Sequence, residues 1–437
     1  FVSSFRTNRA NSAMQVTRTL GGRFAQVICY RKELDVIVPF INRLLNWFVV
    51  GIGTTVMSLM LLTKGSTVDT LGFVTAIYSV FIVVFEFPSG ILADIIGQKK
   101  IYLFSLALSI LGYSIVLLTN NLIWLFIGFS FYGIARAFSS GSVEALFISQ
   151  YIKKNGKENL HKLIGVLNSG EVIGLASGAL LGGLIPMIWV KYFSGQNKYN
   201  GNLIVQIFVL AVLLIFTLLG VQETRDSPKD KQSLLVHIKE SLTIVLRDRN
   251  IILLILGTMT WGFCFNAIEL YWQPQLKGIL GTDSKTWVFG VINSGYFLAS
   301  LLGVGMINLL LRKQKISQKL VLFFSRIVIG LLIIILSFQS NIVAFSSIYL
   351  FLFMINGMMN IPESTIMNTL IPDEKRSSIL SLSSLTMQLG GIIGSVVYSM
   401  IVKSIKIPGV WLISGIVFGI SSMLYVSMKT ENIKTTI

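Results

Sequence analysis

The chain has 437 residues, of which 53% are hydrophobic and only 13% charged, and its formal net charge at pH 7 is +17. A soluble globular domain carries about 25% charged residues, so this composition excludes one. Long unbroken apolar runs also exclude the alternating strands of a membrane β-barrel, which leaves an all-α polytopic membrane protein. Because Lys and Arg lie in short loops between these runs, we attribute the charge to membrane topology and predict no nucleic-acid partner.

The first 36 residues form a basic tail that favours Arg over Lys, unlike the rest of the chain. An Arg-rich segment poor in acids is typical of an organelle transit peptide. A start site assigned upstream of the true one, or an added segment, explains it equally well, so we leave open whether the mature protein contains it and expect disorder. Cys29 in the tail and Cys264 in an apolar run indicate neither a disulfide framework nor a metal site, and we predict no cofactor.

The apolar runs predict twelve membrane spans, because a helix needs about 20 apolar residues to cross a hydrocarbon core of about 30 Å. The first six cover residues 40–62, 68–93, 101–119, 122–148, 162–188 and 203–221. The second six cover residues 251–274, 286–311, 319–339, 342–362, 377–402 and 408–428. The sequence therefore predicts two six-helix bundles, 37–222 and 251–428, the layout of transporters with a substrate site near the midplane between two halves.

A polar linker, 223–250, separates the bundles, and a short tail, 429–437, ends the chain. The linker has a charged run followed by an amphipathic stretch, which we expect to form a helix along the membrane surface. Lys and Arg are concentrated in the even-numbered loops, the N-terminal tail and the linker. The odd-numbered loops hold only Lys64, Lys191, Lys198, Lys277, Lys285, Lys403 and Lys406. The positive-inside rule therefore places both termini and the even-numbered loops in the cytoplasm.

The loop after the second span carries the most specific local signal, Gly90-Ile-Leu-Ala-Asp94-Ile-Ile-Gly97-Gln-Lys99-Lys100. Glycines permit a sharp turn, an Asp can accept hydrogen bonds from a neighbouring helix N-terminus, and lysines remain among the lipid headgroups. The loop resembles the hallmark of the major facilitator superfamily, G-x-L-A-D-R-x-G-R-K, although Ile and Gln replace its two arginines. The resemblance implies a cytoplasmic gating loop in a twelve-span transporter.

The fifth span has glycines at a spacing similar to the signature of drug-exporting antiporters in that superfamily. They are Gly165, Gly174, Gly178, Gly182 and Gly183. The signature's proline is replaced here by Ala179. The resemblance implies a closely packed pivot that favours export, whereas ordinary tight packing of membrane helices is the simpler interpretation.

Five ionisable residues fall at predicted membrane depth, where each costs at least about 2.5–3.5 kcal/mol on insertion scales. They are Glu86, Arg136, Glu144, Glu171 and Glu269. A buried carboxyl that gains a proton, or an arginine that exchanges carboxylate partners, is a way to couple transport to protons. We predict that Arg136 exchanges partners between Glu144 and Glu171. A structural ion pair is the alternative for each acid, above all for Glu86 beside the turn.

Two short segments, Ser140–Leu146 and Tyr271–Pro274, also look like bacterial drug-efflux members of the superfamily. Arg326 lies near the start of the ninth span, and we expect its side chain to reach the membrane interface. Aromatic and amide side chains near the midplane are candidates to line a cavity for a partly apolar molecule, with helix packing as the alternative. These candidates are Asn168, Trp261, Phe265, Asn266, Trp272 and Asn356.

No phosphate-binding loop, metalloprotease motif or nucleophile elbow occurs in the sequence, so a transporter is favoured over an enzyme. We predict a monomeric, proton-coupled exporter of drugs or other hydrophobic small molecules in the cell membrane. Its two halves would rock about the fifth and eleventh spans. The alternatives are uptake or exchange of a sugar, peptide or organic acid, and a channel or non-transporting membrane receptor.

Overall fold

A computed structural model describes residues 36–140, 142–223, 245, 248–282, 284–313, 316–371 and 376–428. The regular structure of these residues is entirely helical, which confirms the all-α prediction. The basic tail before residue 36, nearly all of the amphipathic stretch in the linker, and the tail from residue 429 lie outside the described residues.

The first half contains seven α-helices that form six spans. They are α1 (Val36–Thr63), α2 (Leu71–Ile96), α3 (Gln98–Leu118), α4 (Leu122–Ser139), α5 (Ser142–Asn155), α6 (Leu160–Tyr192) and α7 (Asn200–Gly220). The fourth span consists of α4 and α5, and Ser140 between them has the extended backbone that ends α4. A short 3₁₀ turn, Lys157–Asn159, precedes α6.

The second half contains the remaining helices. They are α8 (Arg249–Leu280), α9 (Trp287–Lys313), α10 (Gln318–Ser337), α11 (Ile342–Leu370), α12 (Arg376–Ile420) and the short α13 (Met423–Val426). A continuous helix from Ile379 to Val426 would be 48 residues, or about 72 Å, which is more than twice the thickness of a hydrocarbon core. The non-helical backbone of Lys406, with φ 60° and ψ 174°, divides α12 into two arms instead. The arms are the eleventh and twelfth spans.

Among the described residues, ten helices are long and apolar enough to cross a membrane, and an eleventh span is bent. The bent span is α2, whose parts Leu71–Glu86 and Pro88–Ile96 meet at 48°. Pro88 explains the bend, because proline lacks the backbone N–H that the helix needs and its ring clashes with the preceding turn. Together with the two arms of α12, these helices give the twelve spans that the sequence predicts.

Glycines let the first and fifth spans pack backbone to backbone. Gly174, Gly178 and Gly182 of α6 face α1, and a Cβ atom on Gly182 would lie only 2.7 Å from the carbonyl oxygen of Ile52. The second half repeats this packing between α8 and the first arm of α12, where a Cβ on Gly394 would lie 2.7 Å from the carbonyl oxygen of Phe263. Each half is therefore stiffened by the same pair of spans, first with fifth and seventh with eleventh.

The other two glycines of the fifth-span signature behave differently. Gly165 has open space around it, and a Cβ added there would have no neighbouring atom within 4 Å. Gly183 instead meets Gly290 of α9 in the other half, where a Cβ would lie 2.6 Å from the Gly290 nitrogen. Three glycines of the signature therefore pack α6 against α1 within the first half. One, Gly183, contacts the second half.

The two halves contact each other at the end of the bundle that carries the odd-numbered loops, here called the odd-loop end. Ser58 of α1 donates its backbone N–H to Oε1 of Gln273 of α8 at 2.9 Å, and its hydroxyl donates to the carbonyl of Leu270 at 2.8 Å. Nearby, the Asn293 amide of α9 donates to Oγ1 of Thr55 at 2.9 Å. These buried polar contacts join the inner spans of both halves.

An ion pair closes the rim of the same end. Nζ of Lys403, at the end of the first arm of α12, lies 2.8 Å from Oδ2 of Asp69 in the loop before α2. Hydrogen bonds from Lys403 and then from Thr67 lower the pKa of Asp69 below its ordinary value. The Lys403 side chain is 75% exposed, so this surface ion pair contributes little to stability.

Candidate functional site

A guanidinium group on the first span holds two carboxylates on neighbouring spans. Nη2 of Arg43 on α1 donates to Oε2 of Glu171 on α6 at 2.6 Å, and Nη1 donates to Oε2 of Glu144 on α5 at 3.0 Å. The three side chains, hereafter the ionic cluster, are 21–38% exposed. A single cation therefore ties together the first, fourth and fifth spans.

Arg136 was the expected partner of these carboxylates, and it lies elsewhere. The ring of Trp47, one helical turn after Arg43, contacts both arginines, with the Arg43 and Arg136 guanidinium carbons 5.3 and 5.2 Å from its centroid. Both contacts are in the range of cation–π attraction. In this conformation Arg43 holds Glu144 and Glu171, while Arg136 contacts the same Trp47 ring as a second positive charge.

The ionic cluster borders a cavity of about 120 Å³. Arg43, Trp47, Arg136 and Glu144 line it together with the hydroxyl groups of Ser139 and Ser140. A cavity of this size and polar lining has room for water. Water, and with it a proton, therefore has access to Glu144, which lines the cavity.

Asn42, the residue before Arg43, fixes this part of α1. Its amide nitrogen donates to Oγ1 of Thr217 on α7 at 2.9 Å, and its amide oxygen accepts from the hydroxyl of Tyr102 on α3 at 3.1 Å. All three residues are buried. These hydrogen bonds hold α1 against α3 and α7, the third and sixth spans. The packing of these three helices therefore sets the direction of the neighbouring Arg43 side chain.

Glu86 lies at the end of the first part of α2, and the second part leads to the even-numbered loop between α2 and α3. Glu86 is half-buried at the Pro88 bend and interacts electrostatically with Arg136. At the end of α2, Gly97 has φ 116°, a backbone conformation that L side chains rarely adopt, and a side chain there would collide with the Glu223 carboxylate. This turn requires glycine.

The segment 90–100, which the sequence predicts as a loop, is helical on both sides of Gly97: Gly90 and Asp94 lie in α2, and Lys99 and Lys100 lie in α3. Its polar side chains point in different directions. Lys99 donates to the carbonyl of Leu218 at 2.8 Å and thereby satisfies the end of α7. Lys100 and Asp94 are exposed, and Gly90 has nothing within 4 Å of where a Cβ would stand. The expected hydrogen bonds from a neighbouring helix N-terminus to Asp94 are absent among the described residues, which do not include 372–375 just before α12.

The candidate cavity residues of the second half separate into two groups. Trp261 stacks on Phe265 with centroids 4.7 Å apart, and its indole N–H donates to Oδ1 of Asn356 on α11 at 2.8 Å. Asn266 accepts a hydrogen bond from Ser395 of α12 at 3.0 Å. Trp272 is buried and packs on Phe289 and Tyr349, so it belongs to the helix core. In the first half, Asn168 is exposed on α6.

Arg326 does not reach the interface, so that prediction is wrong. Its side chain is fully buried, Nη1 donates to Oγ of Ser421 at 2.8 Å, and Nη2 donates to the carbonyl of Gly257 at 2.7 Å. The rings of Phe418 and Tyr425 lie 4.8 and 4.9 Å from the guanidinium carbon. Hydrogen-bond acceptors and ring faces inside the second half stabilise the charge.

Two charged residues of interest are not found by sequence reasoning. Arg43 lies three residues inside the predicted first span, and its charge at that depth was a usable signal. Glu363 lies one residue beyond the predicted tenth span and interacts electrostatically with Arg326. In the described part of the chain, no group of three or more His, Cys, Asp or Glu side chains is placed to hold a metal ion.

Comparison with known proteins identifies the family. The family model described as Major Facilitator Superfamily matches residues 40–395. The chain belongs to this superfamily. The match covers both halves of the molecule and confirms the resemblance carried by the loop after α2.

Relatives within the superfamily are distant in sequence. The uncharacterized MFS-type transporter YxaM of Bacillus subtilis is 22% identical over 392 residues, which cover 87% of this chain and 92% of the relative. The class H tetracycline resistance protein of Pasteurella multocida is 28% identical over 192 residues, 44% of this chain and 41% of the relative. These superfamily matches make the chain a membrane transporter and leave its substrate open.

Solved structures of the superfamily share the fold. The nucleoside transporter NupG superposes with a TM-score of 0.74 at 15% identity, over 91% of this chain and all of the other. A bacterial homologue of the human lysosomal transporter Spinster, in an inward-facing and occupied conformation, gives a TM-score of 0.70 at 13% identity, over 91% and 96% of the two chains. Identities this low establish the architecture alone.

Proposed function

We propose that this superfamily member exports small, partly apolar molecules in exchange for protons by alternating access. The observation that carries the proposal is the ionic cluster, in which Arg43 holds both Glu144 and Glu171 beside a cavity with room for water. One guanidinium faces two carboxylates, so the cluster has a net charge of −1 when both acids are ionised. Binding one proton makes it neutral.

Proton binding changes what Arg43 can hold. A protonated carboxyl attracts a guanidinium far less than a carboxylate does, so Arg43 keeps the acid that stays ionised and releases the other. The released acid lies on α5 or α6, and the link from α1 to that span weakens. Because α6 also meets α9 of the other half at Gly183, a shift of α6 reaches the interface between the halves.

Arg136 offers a second guanidinium to the carboxylate that stays ionised. Arg136 and Glu86 bring the local count to two cations and three acids, so one proton also balances the larger group. Arg136 contacts the same Trp47 ring as Arg43 and lines the same cavity. The predicted exchange of partners is thus retained in our proposal, with Arg43 as the resting partner and Arg136 as the candidate for the protonated state.

The direction of transport rests on topology and on sequence. If the basic even-numbered loops face the cytoplasm, the contacts at the odd-loop end close the outside, and the conformation described here offers its cavity to the cytoplasm. We place the protein in the cell membrane as a monomer with both termini cytoplasmic. The fifth-span glycines and the similarity to a tetracycline resistance protein over 44% of this chain support export.

Everted membrane vesicles test the proposal. An imposed inward-acid gradient is expected to drive ethidium into vesicles that contain the wild-type protein, and dissipation of the gradient with a protonophore is expected to stop this movement. Glu144→Gln and Glu171→Gln should each lose gradient-driven transport by tenfold or more. Glu158→Gln, a change of the same chemistry in the exposed turn before α6, serves as the matched control.

Two results would contradict the proposal. Ethidium movement that is the same with and without the gradient would contradict proton coupling. Unchanged gradient-driven transport in both glutamine variants would contradict a role of the ionic cluster in that coupling. Gradient-driven movement of a sugar, peptide or organic acid in the opposite direction would instead favour the uptake alternative.

A further inference from the structure

A buried amide of the seventh span is bonded to the backbone of the first span. Gln273 of α8 is 1% exposed, and its side chain makes three hydrogen bonds to the main chain of α1. Nε2 donates to the carbonyl oxygen of Thr54 at 2.7 Å. Oε1 accepts from the backbone N–H groups of Ser58 at 2.9 Å and of Leu59 at 3.4 Å. One side chain of the second half therefore holds the main chain of the first.

Two of these backbone groups are partners of each other in a regular α-helix. An α-helix joins each carbonyl to the N–H four residues later, so the carbonyl of Thr54 belongs with the N–H of Ser58. The Gln273 amide binds both members of that pair, one with its donor and one with its acceptor. Gln273 therefore competes with α1 for one hydrogen bond of the α1 helix.

The same contact satisfies a backbone group of α8. Pro274 lies inside α8 and has no backbone N–H, so the carbonyl of Leu270, four residues earlier, lacks its helical partner. The hydroxyl of Ser58 donates to that carbonyl at 2.8 Å. Each of the two helices therefore supplies a side chain to the backbone of the other.

The groups that make this contact are neutral. Asn293 of α9 adds amide hydrogen bonds to Oγ1 of Thr54 at 3.2 Å and to Oγ1 of Thr55 at 2.9 Å. Glu269, one helical turn before Gln273 on α8, is exposed and makes no ion pair within the described part of the chain. Breaking buried hydrogen bonds is costly chiefly when a donor or acceptor is left unpaired. The cost of opening therefore depends on what each group binds afterwards.

We infer that Gln273 is the positioning residue of the closed odd-loop end, and that α1 takes its own hydrogen bond back when the halves separate. In the closed conformation, the Thr54 carbonyl and the Ser58 N–H bind Gln273. In the open conformation they bind each other, and water that enters the opening hydrates the released amide. Since no backbone group of α1 is left unpaired, the two conformations differ little in hydrogen-bond energy, as a gate that opens and closes repeatedly requires. The inference rests on the alternating access proposed above and not on protons or cargo.

Distances between spin labels on the purified full chain test this assignment. Four exposed positions are labelled as two pairs, after the native cysteines are replaced by serine: Ser194→Cys with Ser284→Cys at the odd-loop end, and Glu158→Cys with Ser317→Cys at the opposite end. Gln273→Leu removes the amide and keeps a similar volume. It should raise the population with the longer odd-loop distance at least fivefold, and the population with the shorter distance at the opposite end should rise with it.

Gln206 provides the matched control. It is also 1% exposed, and its Nε2 donates to an α1 carbonyl, that of Val49, at 3.0 Å, but it lies on α7 of the same half. Gln206→Leu should lower the free energy of unfolding and leave both distance populations within twofold of the wild type. Ser58→Ala, which removes the hydroxyl from the Leu270 carbonyl, should shift the populations in the same direction as Gln273→Leu by a smaller factor, and it keeps the test decisive if Gln273→Leu does not fold.

Hydrogen–deuterium exchange of residues 51–62 tests the return of the α1 hydrogen bond. Exchange of this segment in Gln273→Leu should stay within twofold of the wild type although the odd-loop end is open, and faster exchange than that overturns the return of the bond. Unchanged distance populations in Gln273→Leu and Ser58→Ala, or an equal shift in Gln206→Leu, overturn the role of Gln273. Because no gradient or cargo is present, a failure of proton coupling or of export leaves these results unaffected.

Discussion

Replacing Arg43 tests whether one guanidinium really organises the first half. Arg43→Met keeps most of the side-chain volume and removes the charge, and Glu171→Gln and Glu144→Gln remove each acceptor in turn. We expect Arg43→Met to lower the free energy of unfolding. In the Arg43→Met background, we expect Glu171→Gln to lower this free energy by little more. The interaction energy of a double-mutant cycle isolates each pair.

The structure sets the size of these interaction energies. Two unit charges about 4 Å apart attract by about 4 kcal/mol at an effective dielectric constant of about 20. Desolvation of partly exposed groups offsets much of this gain. For the 2.6 Å contact to Glu171, whose side chain is 27% exposed, we expect a coupling of about 1–2 kcal/mol. For the 3.0 Å contact to Glu144, which is 38% exposed, we expect less than about 1 kcal/mol.

Reversible unfolding in mixed detergent micelles measures the cycle. The matched control pairs Arg136→Met with Glu171→Gln, because Arg136 makes no ion pair with Glu171 among the described residues. A coupling of Arg136 to Glu171 that equals or exceeds that of Arg43 would refute the assignment of Arg43 as the resting partner. A coupling of zero for Arg43 with both acids would refute the ionic cluster as a link between spans.

Three further predictions concern packing and charge. Gly182→Ala should destabilise the protein by about 1–3 kcal/mol in denaturant unfolding, because its Cβ would lie 2.7 Å from a carbonyl of α1, whereas Gly165→Ala, in open space, should be neutral. Burial lowers the pKa of Lys64 to about 8 from 10.5, so the folded protein binds fewer protons than the unfolded chain in that window. Unfolding free energy should therefore rise as the pH rises from about 8 to 10.5, and Lys64→Met should flatten that slope. The pKa of Asp69 is lowered, so its pairing with Lys403 should contribute fully above pH 3.8 and be lost as the pH falls further. The difference in unfolding free energy between wild type and Asp69→Asn should be below about 1 kcal/mol, constant from about pH 5 to 7, and smaller in acid or high salt.

The spans could be predicted from the sequence because the length and apolarity of a membrane helix are local properties. The turn at Gly97 could also be predicted locally. Its backbone has a positive φ that favours glycine, and the motif around it places a glycine at that position. The break at Lys406 falls between the predicted eleventh and twelfth spans, where Pro408 prevents a continuous helix.

The partners of charged side chains could not be predicted in the same way. Arg43 meets Glu144 and Glu171 across 101 and 128 residues of chain, and only the packing of α1 against α6 brings them together. The burial of Arg326 likewise depends on a hydroxyl 95 residues away and a carbonyl 69 residues away. The depth of Glu144 and Glu171 in the predicted spans marked these two acids as candidates, whereas the pairing of charged side chains is a property of the three-dimensional fold.

The corner at Lys406 has a mechanical consequence. Because the last two membrane crossings meet at the non-helical backbone of Lys406 with no loop between them, movement of one crossing is transmitted directly to the other. Lys403 sits three positions before that corner, so a pull on its contact with Asp69 is transmitted to both crossings at once. Opening the odd-loop end would then require Lys403 to release Asp69 and the buried contacts of Ser58 with α8 and of Asn293 with Thr55 to break.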